Sequence, residues 1–99
     1  MPRLFVRKAA REDLSEALQW YEAHSRGLGH EFVRAVGVAF GAIERAPEQF
    51  ALAVDDIRRA RLRRFPYLIY FVILPRHISV IAVIHGRRHQ DVGNRVAEV

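Results

Sequence analysis

The chain has no cysteine, one lysine and no long hydrophobic run, and each absence excludes a class of structure. Without cysteine it can form neither a disulfide framework nor a thiolate metal site, which fits a reducing cytoplasm. Its longest apolar stretch, residues 67–74, is eight residues long, far below the ~20 residues needed to cross a bilayer. The first residues also lack the apolar segment of a signal peptide. We therefore expect a cytoplasmic protein that has no membrane partner.

The basic residues are almost all arginines, and most of them lie in the second half of the chain. Lys8 is the only lysine among sixteen Lys and Arg residues. Residues 1–57 contain seven basic and nine acidic residues, whereas residues 58–99 contain nine arginines and two acidic residues. Arginine favours bidentate contacts to carboxylate or phosphate, so this asymmetry indicates a basic face for an acidic partner or a polyanion. A solvated basic surface without a partner is the alternative.

Helical periodicity covers the first half of the chain. Apolar residues from Leu14 to Tyr21 recur at helical spacing and form one stripe of a helix that begins near residue 10. Trp20 lies off this stripe, where it either packs at the stripe's edge or meets a partner. A second helix runs through residues 32–43, and Pro47 ends it. The two segments predict a helical hairpin.

Glycines mark two places in this hairpin. Gly27 and Gly29 separate the helices and can adopt positive φ, which predicts a tight turn. Gly37 and Gly41 lie one turn apart on the second helix, where glycine lowers helix propensity. We therefore expect these two glycines to mark close packing against the first helix or the sheet.

The second half of the chain has the patterns of β-strands. Alternation in the third quarter of the chain places Arg59, Arg61 and Arg63 on one face of a strand, and the next strand is apolar on both faces, which is typical of a central strand. The predicted strands cover residues 3–7, 58–65, 67–74 and 78–85. The sequence thus predicts one α+β domain, residues 1–99, of order β-α-α-β-β-β, with the helical hairpin packed on a small, mainly antiparallel sheet.

This order, with these residues, resembles the ParE/RelE toxin superfamily over nearly the whole chain. The similarity is most specific in residues 61–70 (RLRRFPYLIY) and residues 80–88 (VIAVIHGRR). The first helix adds Trp20-Tyr21-Glu22, and Gly27-Leu28-Gly29 is similar to the family's hairpin turn. No single segment is diagnostic, but their order and spacing together are specific. The resemblance implies the RelE/ParE-like fold.

Two segments resemble the ParE branch, whose members include plasmid-stabilisation toxins. They are Phe65-Pro66-Tyr67 at a strand start and His85-Gly86-Arg87-Arg88 at a strand exit. The chain departs from this branch just beyond, because it continues His89-Gln90-Asp91-Val92 where the branch commonly has an acidic or amide residue, a proline and a tryptophan.

The resemblance implies the toxin of a bacterial type II toxin–antitoxin system. Such a toxin is held inactive by a cognate, ParD-like antitoxin, which binds it through a flexible segment. ParE-like members poison DNA gyrase, so the expected target is gyrase and no catalysis by the chain itself is expected. From the charge pattern, we expect partner and target to be bound by six arginines, namely Arg59, Arg61, Arg63, Arg64, Arg87 and Arg88.

A RelE-like, ribosome-dependent mRNA endoribonuclease is the first alternative. Metal-independent RNA cleavage needs a base, a cation for the phosphorane and an acid for the leaving oxygen. His85, Arg87, His89 and Arg61 are the candidate catalytic residues for this reaction. In the competing interpretation, His85 hydrogen-bonds at the strand end and the arginines bind an acidic surface.

A small DNA-binding regulatory domain is the second alternative. Neither predicted helix resembles a recognition helix, because both carry the apolar stripe of a core-packing helix. We expect no metal site, since the five histidines are not spaced as ligands and cysteine is absent. No cofactor is expected either.

Overall fold

The computed structural model of the chain describes residues 2–97, apart from the side chains of Asn94, Val96 and Ala97. The strands are β1 (Arg3–Val6), β2 (Leu52–Val54), β3 (Ile57–Arg61), β4 (Tyr67–Ile73) and β5 (His77–His85). The α-helices are α1 (Lys8–His24), α2 (Leu28–Arg45) and α3 (Val92–Ala97), and 3₁₀ segments cover Pro47–Gln49 and Gly86–Asp91. No helix within residues 2–97 is long and apolar enough to cross a membrane.

The strands form one five-stranded mixed sheet in the order β1-β5-β4-β3-β2. β1 pairs with β5 in parallel, and the other three pairs are antiparallel. The predicted α+β order and the mainly antiparallel sheet are therefore confirmed. The structure adds the three-residue edge strand β2 and the short helix α3, which periodicity did not reveal.

The predicted strand over residues 58–65 was too long. β3 ends at Arg61, and the Leu62 N–H donates to the Tyr67 carbonyl over 3.0 Å, which closes a turn into β4. Arg64 takes a positive φ of 71° inside this turn. Pro66 immediately precedes β4 and has no N–H to give to a ladder. The alternation of polar and apolar side chains over residues 63–65 therefore belongs to a turn and not to a strand.

The core lies on both faces of the sheet. On one face, α1 and α2 pack against the sheet. There the ring of the fully buried Phe32 lies 5.3 Å, between centroids, from each of the rings of Tyr21, Phe65 and Tyr67. On the other face, buried side chains such as Tyr70 form a second apolar cluster that includes Val92 of α3. As predicted, the central strand β4 is buried on both faces.

The hairpin turn uses its two glycines differently. Gly27 has a φ of 87°, as predicted, and begins α2. Gly29 instead provides space, because a Cβ there would lie 2.7 Å from Cδ1 and 3.0 Å from the carbonyl oxygen of Leu18. The carboxylate of Glu22 accepts hydrogen bonds from the N–H groups of both glycines over 3.0–3.1 Å. Sequence and geometry thus agree on a tight α1–α2 turn.

The expectation for the two glycines within α2 was wrong. A Cβ at Gly37 would meet nothing within 4 Å, and one at Gly41 would meet only the Arg45 guanidinium at 3.3 Å. Among the glycines of α2, Gly29, at its start, is the one whose position excludes a Cβ through contact with α1.

Both outer edges of the sheet are short. In β1, the N–H of Leu4 donates to the carboxylate of Glu44 over 3.2 Å. At the opposite edge, β2 has only three residues and its pairing with β3 is irregular between Leu52 and Val54. Neither edge offers a long row of free backbone groups to a further strand.

We predict opposite effects of adding a methyl group at two glycines of α2. Gly29→Ala should destabilise the fold, because its Cβ meets the backbone and side chain of Leu18. Gly37→Ala should stabilise it by about 0.5–1 kcal/mol, because this exposed helical site is open. The free energy of unfolding in urea measures both, and a stabilised Gly29→Ala variant would contradict the packing described.

Candidate functional site

All six arginines predicted to bind a partner are exposed. Two of them already contact an acid of the same chain: Arg64 lies 2.7 Å from the Glu31 carboxylate, and Arg88 lies 2.8 Å from that of Asp91. The side chains of the other four make no hydrogen bond or ion pair with a described residue. These four are Arg59, Arg61, Arg63 and Arg87.

Strand β3 determines the direction of its arginines. Arg59 and Arg61 lie two residues apart and therefore share a face. Arg58 projects to the other face, where its guanidinium donates to the carbonyl oxygens of Glu48 and Phe50. Arg63 does not extend the row of Arg59 and Arg61, because the strand has ended before it. The predicted row of three arginines on one face is thus corrected to two.

Arg61 lies between two depressions of the surface. The larger one, which we call the α2–β3 groove, has a volume of about 830 Å³ and separates α2 from β3 and the turn after it. Its walls carry five arginines and a single acid, Glu31, which is paired with Arg64. The arginines are Arg34, Arg45, Arg61, Arg63 and Arg64. Its apolar lining is Ala35, Val38, Ala39, Ala42, Phe50, Ala60 and Phe65.

The smaller depression, which we call the arginine cleft, has a volume of about 220 Å³. It lies where β3 ends, β4 begins and the chain leaves β5. Its lining residues are Arg59, Arg61, Pro66, Tyr67, Leu68, Gly86 and His89. No acidic side chain is among them, so the cleft carries the charge of two guanidinium groups without compensation from a described carboxylate.

A third depression, the aromatic pocket, lies between α1 and the end of β5 and has a volume of about 460 Å³. Trp20 stands at this pocket, 54% exposed, with its ring stacked on His24 at 3.7 Å. Tyr67 lines both this pocket and the arginine cleft. Burial raises the pKa of the Tyr67 phenol, while the nearby Arg88 lowers it. Trp20 is thus an exposed aromatic side chain beside a cavity.

The candidate ribonuclease residues are divided between different depressions. Arg61 and His89 line the arginine cleft, whereas His85 lines the aromatic pocket. Nδ1 of His85 accepts a hydrogen bond from the backbone N–H of Arg87 over 3.1 Å. Nδ1 of His89 lies 3.0 Å from the Gly86 carbonyl oxygen, which can only accept, so this ring nitrogen donates. No single cavity described here contains both histidines.

Among the described residues, no three histidine or carboxylate side chains come together as a metal site. His85 and His89 each direct one ring nitrogen to the backbone around Gly86. The histidines of this region thus shape the segment that follows β5.

Asp13 joins three elements of the fold. β1 pairs with β5 only as far as Val80, so the edge of β5 beyond that point has no neighbouring strand. There the Asp13 carboxylate, from α1, accepts a hydrogen bond from the N–H of Val83 over 2.9 Å. The same carboxylate forms an ion pair with Arg95 of α3, also at 2.9 Å. Arg95 in turn donates to the carbonyl oxygen of Ile81. The open edge of β5 is therefore closed by side chains.

Sequence reasoning missed Arg34 and Arg45 as part of the basic surface. A signal was present, since Arg34, Val38 and Arg45 recur at helical spacing on one face of α2. For the Asp13–Arg95 pair there was none, because 82 residues separate its members.

Comparison with known proteins agrees with this architecture. The family described as "ParE toxin of type II toxin-antitoxin system, parDE" matches residues 4–90. A solved structure described as the chromosomal ParDE TA system from P. aeruginosa superposes with a TM-score of 0.74 at 19% identity, over 86% of this chain and 96% of that chain. No curated protein sequence matches the chain. The family match covers most of the chain and defines a toxin of the type II class. The chain belongs to the ParE toxin family.

We predict that the two ion pairs between residues distant in sequence, Asp13–Arg95 and Glu31–Arg64, differ in their contribution to stability. Asp13→Asn should destabilise the fold by about 2–3 kcal/mol, because Asp13 and Arg95 are only 15% and 21% exposed and a backbone N–H depends on the same carboxylate. Glu31→Gln removes the exposed pair with Arg64 and should cost less than about 1 kcal/mol. Urea unfolding of both variants measures the difference, and equal losses would contradict it.

Proposed function

We propose that this chain is a toxin that acts on DNA gyrase in the cytoplasm and is neutralised by an antitoxin whose acidic segment occupies the α2–β3 groove. Its membership of the ParE toxin family supports the toxin class. The observation that carries the proposal is the combination, in one groove, of seven apolar side chains and five arginines with a single acid. Such a surface suits an amphipathic partner segment rich in carboxylates.

The apolar lining would provide the affinity for this segment. Val38 is 69% exposed, so its burial by a partner would remove apolar surface from water. The arginines at the rim would select acidic segments and accelerate association. Arg63 is the simplest of them to test, since it is exposed and makes no contact with an acid among the described residues.

Gyrase is favoured over ribosome-bound mRNA because the candidate catalytic groups do not converge. A ribonuclease needs its acid, base and phosphate-binding groups around one phosphate. His85 lines the aromatic pocket, whereas His89 and Arg61 line the arginine cleft. This separation supports a toxin that binds its target without cleaving RNA.

For the target, we predict that the purified chain inhibits supercoiling by purified gyrase and increases the amount of gyrase-cleaved DNA. His85→Ala should leave inhibition unchanged, because no proton transfer by His85 is required. Arg76→Gln, in the exposed β4–β5 turn at the opposite end of the sheet, should likewise leave inhibition unchanged. If the chain instead cleaves mRNA on translating ribosomes, and His85→Ala abolishes cleavage, the ribonuclease alternative holds.

For the antitoxin, we predict that binding depends on both parts of the groove. The antitoxin to use is the product of the short reading frame expected beside this gene. Val38→Asp places a charge among the apolar lining, and Arg63→Glu turns attraction to the acidic segment into repulsion; each should weaken binding at least roughly tenfold, the first through loss of a central apolar contact and the second through like charges facing each other. Isothermal titration calorimetry measures the affinity.

Arg76→Glu is the control for the antitoxin measurement, because it reverses a charge outside the groove. Its affinity should stay within about twofold of the wild-type value, since a charge outside the groove makes no contact with the bound segment. If Arg76→Glu weakens binding as much as Arg63→Glu does, overall charge and not the groove governs recognition.

A further inference from the structure

The arginine cleft differs from the α2–β3 groove in the environment of its guanidinium groups. Arg59 and Arg61 project from β3, which is paired with a strand on each side. Their cross-strand partners on β4 are Tyr70 and Leu68, so no acid faces them across the ladder. Two side chains two residues apart on a strand leave the backbone about 7 Å apart. The strand thus holds two uncompensated cations side by side.

The segment after β5 closes the cleft with an imidazole ring. Nδ1 of His89 donates to the Gly86 carbonyl oxygen, which fixes the ring at the wall of the cleft. The half-buried ring of Tyr67 forms part of the same lining. A positively charged groove tracks the backbone of a nucleic acid, and an aromatic ring beside it offers a base a surface to stack on.

The size of the cleft decides between two kinds of anionic ligand. At about 220 Å³ it has roughly a quarter of the volume of the α2–β3 groove, and only Pro66, Tyr67 and Leu68 give it apolar surface. An amphipathic peptide would bury little there. A phosphate group, which is compact and takes bidentate hydrogen bonds from arginine, suits it better.

We propose that the arginine cleft binds the phosphodiester backbone of DNA, with Arg59 and Arg61 as the phosphate ligands. This inference rests on the proposed function in one respect: the DNA in question is the segment that gyrase holds. The toxin then contacts the nucleic acid of the gyrase–DNA complex as well as the enzyme.

Arg61 gives this site a connection to the antitoxin, because it lines both the arginine cleft and the α2–β3 groove. An acidic segment in the groove would engage the Arg61 guanidinium and withdraw it from the cleft. The antitoxin would therefore weaken DNA binding without covering Arg59.

The test is the salt dependence of DNA binding by the full-length chain. Fluorescence anisotropy of a labelled duplex and of a labelled single strand, with no gyrase present, distinguishes the two forms of DNA. For the Arg59→Gln/Arg61→Gln variant, affinity should fall at least roughly tenfold. The slope of log K against log salt should become shallower by about 1.8 for duplex or about 1.4 for single-stranded DNA.

Two controls separate the site from general charge. Arg59→Lys/Arg61→Lys keeps both charges and should keep most of the salt slope while losing affinity, because lysine cannot form bidentate contacts. Arg76→Gln removes one charge at the opposite end of the sheet and should change neither the DNA affinity nor the salt slope by more than twofold. Urea unfolding checks that each variant is folded, as expected for exposed side chains.

Three results would overturn the inference. They are the absence of wild-type DNA binding, an equal loss of affinity for Arg76→Gln, and binding of a glutamate-rich peptide that is lost in the Arg59→Gln/Arg61→Gln variant while its DNA binding persists. The gyrase assay on the same proteins keeps the two proposals apart. If the Arg59→Gln/Arg61→Gln variant binds DNA and inhibits gyrase like the wild type, only the cleft proposal fails. If the wild type binds DNA through the cleft but leaves gyrase active, only the gyrase proposal fails.

Discussion

The burial of β4 and β5 on both faces is the constraint on which the rest of the structure depends. Their side chains belong to two apolar clusters, one under the helical hairpin and one on the opposite face of the sheet. Neither strand can therefore carry an exposed charge between its ends. The six arginines predicted to bind a partner accordingly lie on β3, in the turn before β4 and in the segment after β5. These three places meet at one end of the sheet, and their arginines are concentrated there.

Charge and apolar surface are combined differently in the two basic depressions. The α2–β3 groove has arginines above small apolar side chains, and its single acid is already paired with Arg64. The arginine cleft has two guanidinium groups, a histidine and less apolar surface than the groove. A partner that binds the groove must match shape as well as charge, whereas a ligand of the cleft needs chiefly negative charge and hydrogen-bond acceptors. The two depressions therefore differ in the kind of ligand that each favours.

The sequence predicted the elements whose periodicity is long and regular, and it failed where contacts between distant segments decide. Both long helices, β4 and β5 follow directly from their patterns of apolar residues. β3 was extended wrongly into residues 62–65, since alternation alone cannot distinguish a strand from the turn that Arg64 forms at positive φ. β2 is too short to show periodicity. The exposure of the six arginines was correctly expected, but the closeness of Arg61 to two depressions depends on how α2 packs against β3.

The blunt edges of the sheet have a consequence for how this protein acquires specificity. The Leu4 N–H is held by Glu44, and β2 is short and irregular, so backbone pairing with a foreign strand gains little at either margin. Recognition must then come from side chains on the surface, whose identity the core does not constrain. Because exchange of such side chains leaves the buried scaffold unchanged, partner choice can change independently of the fold.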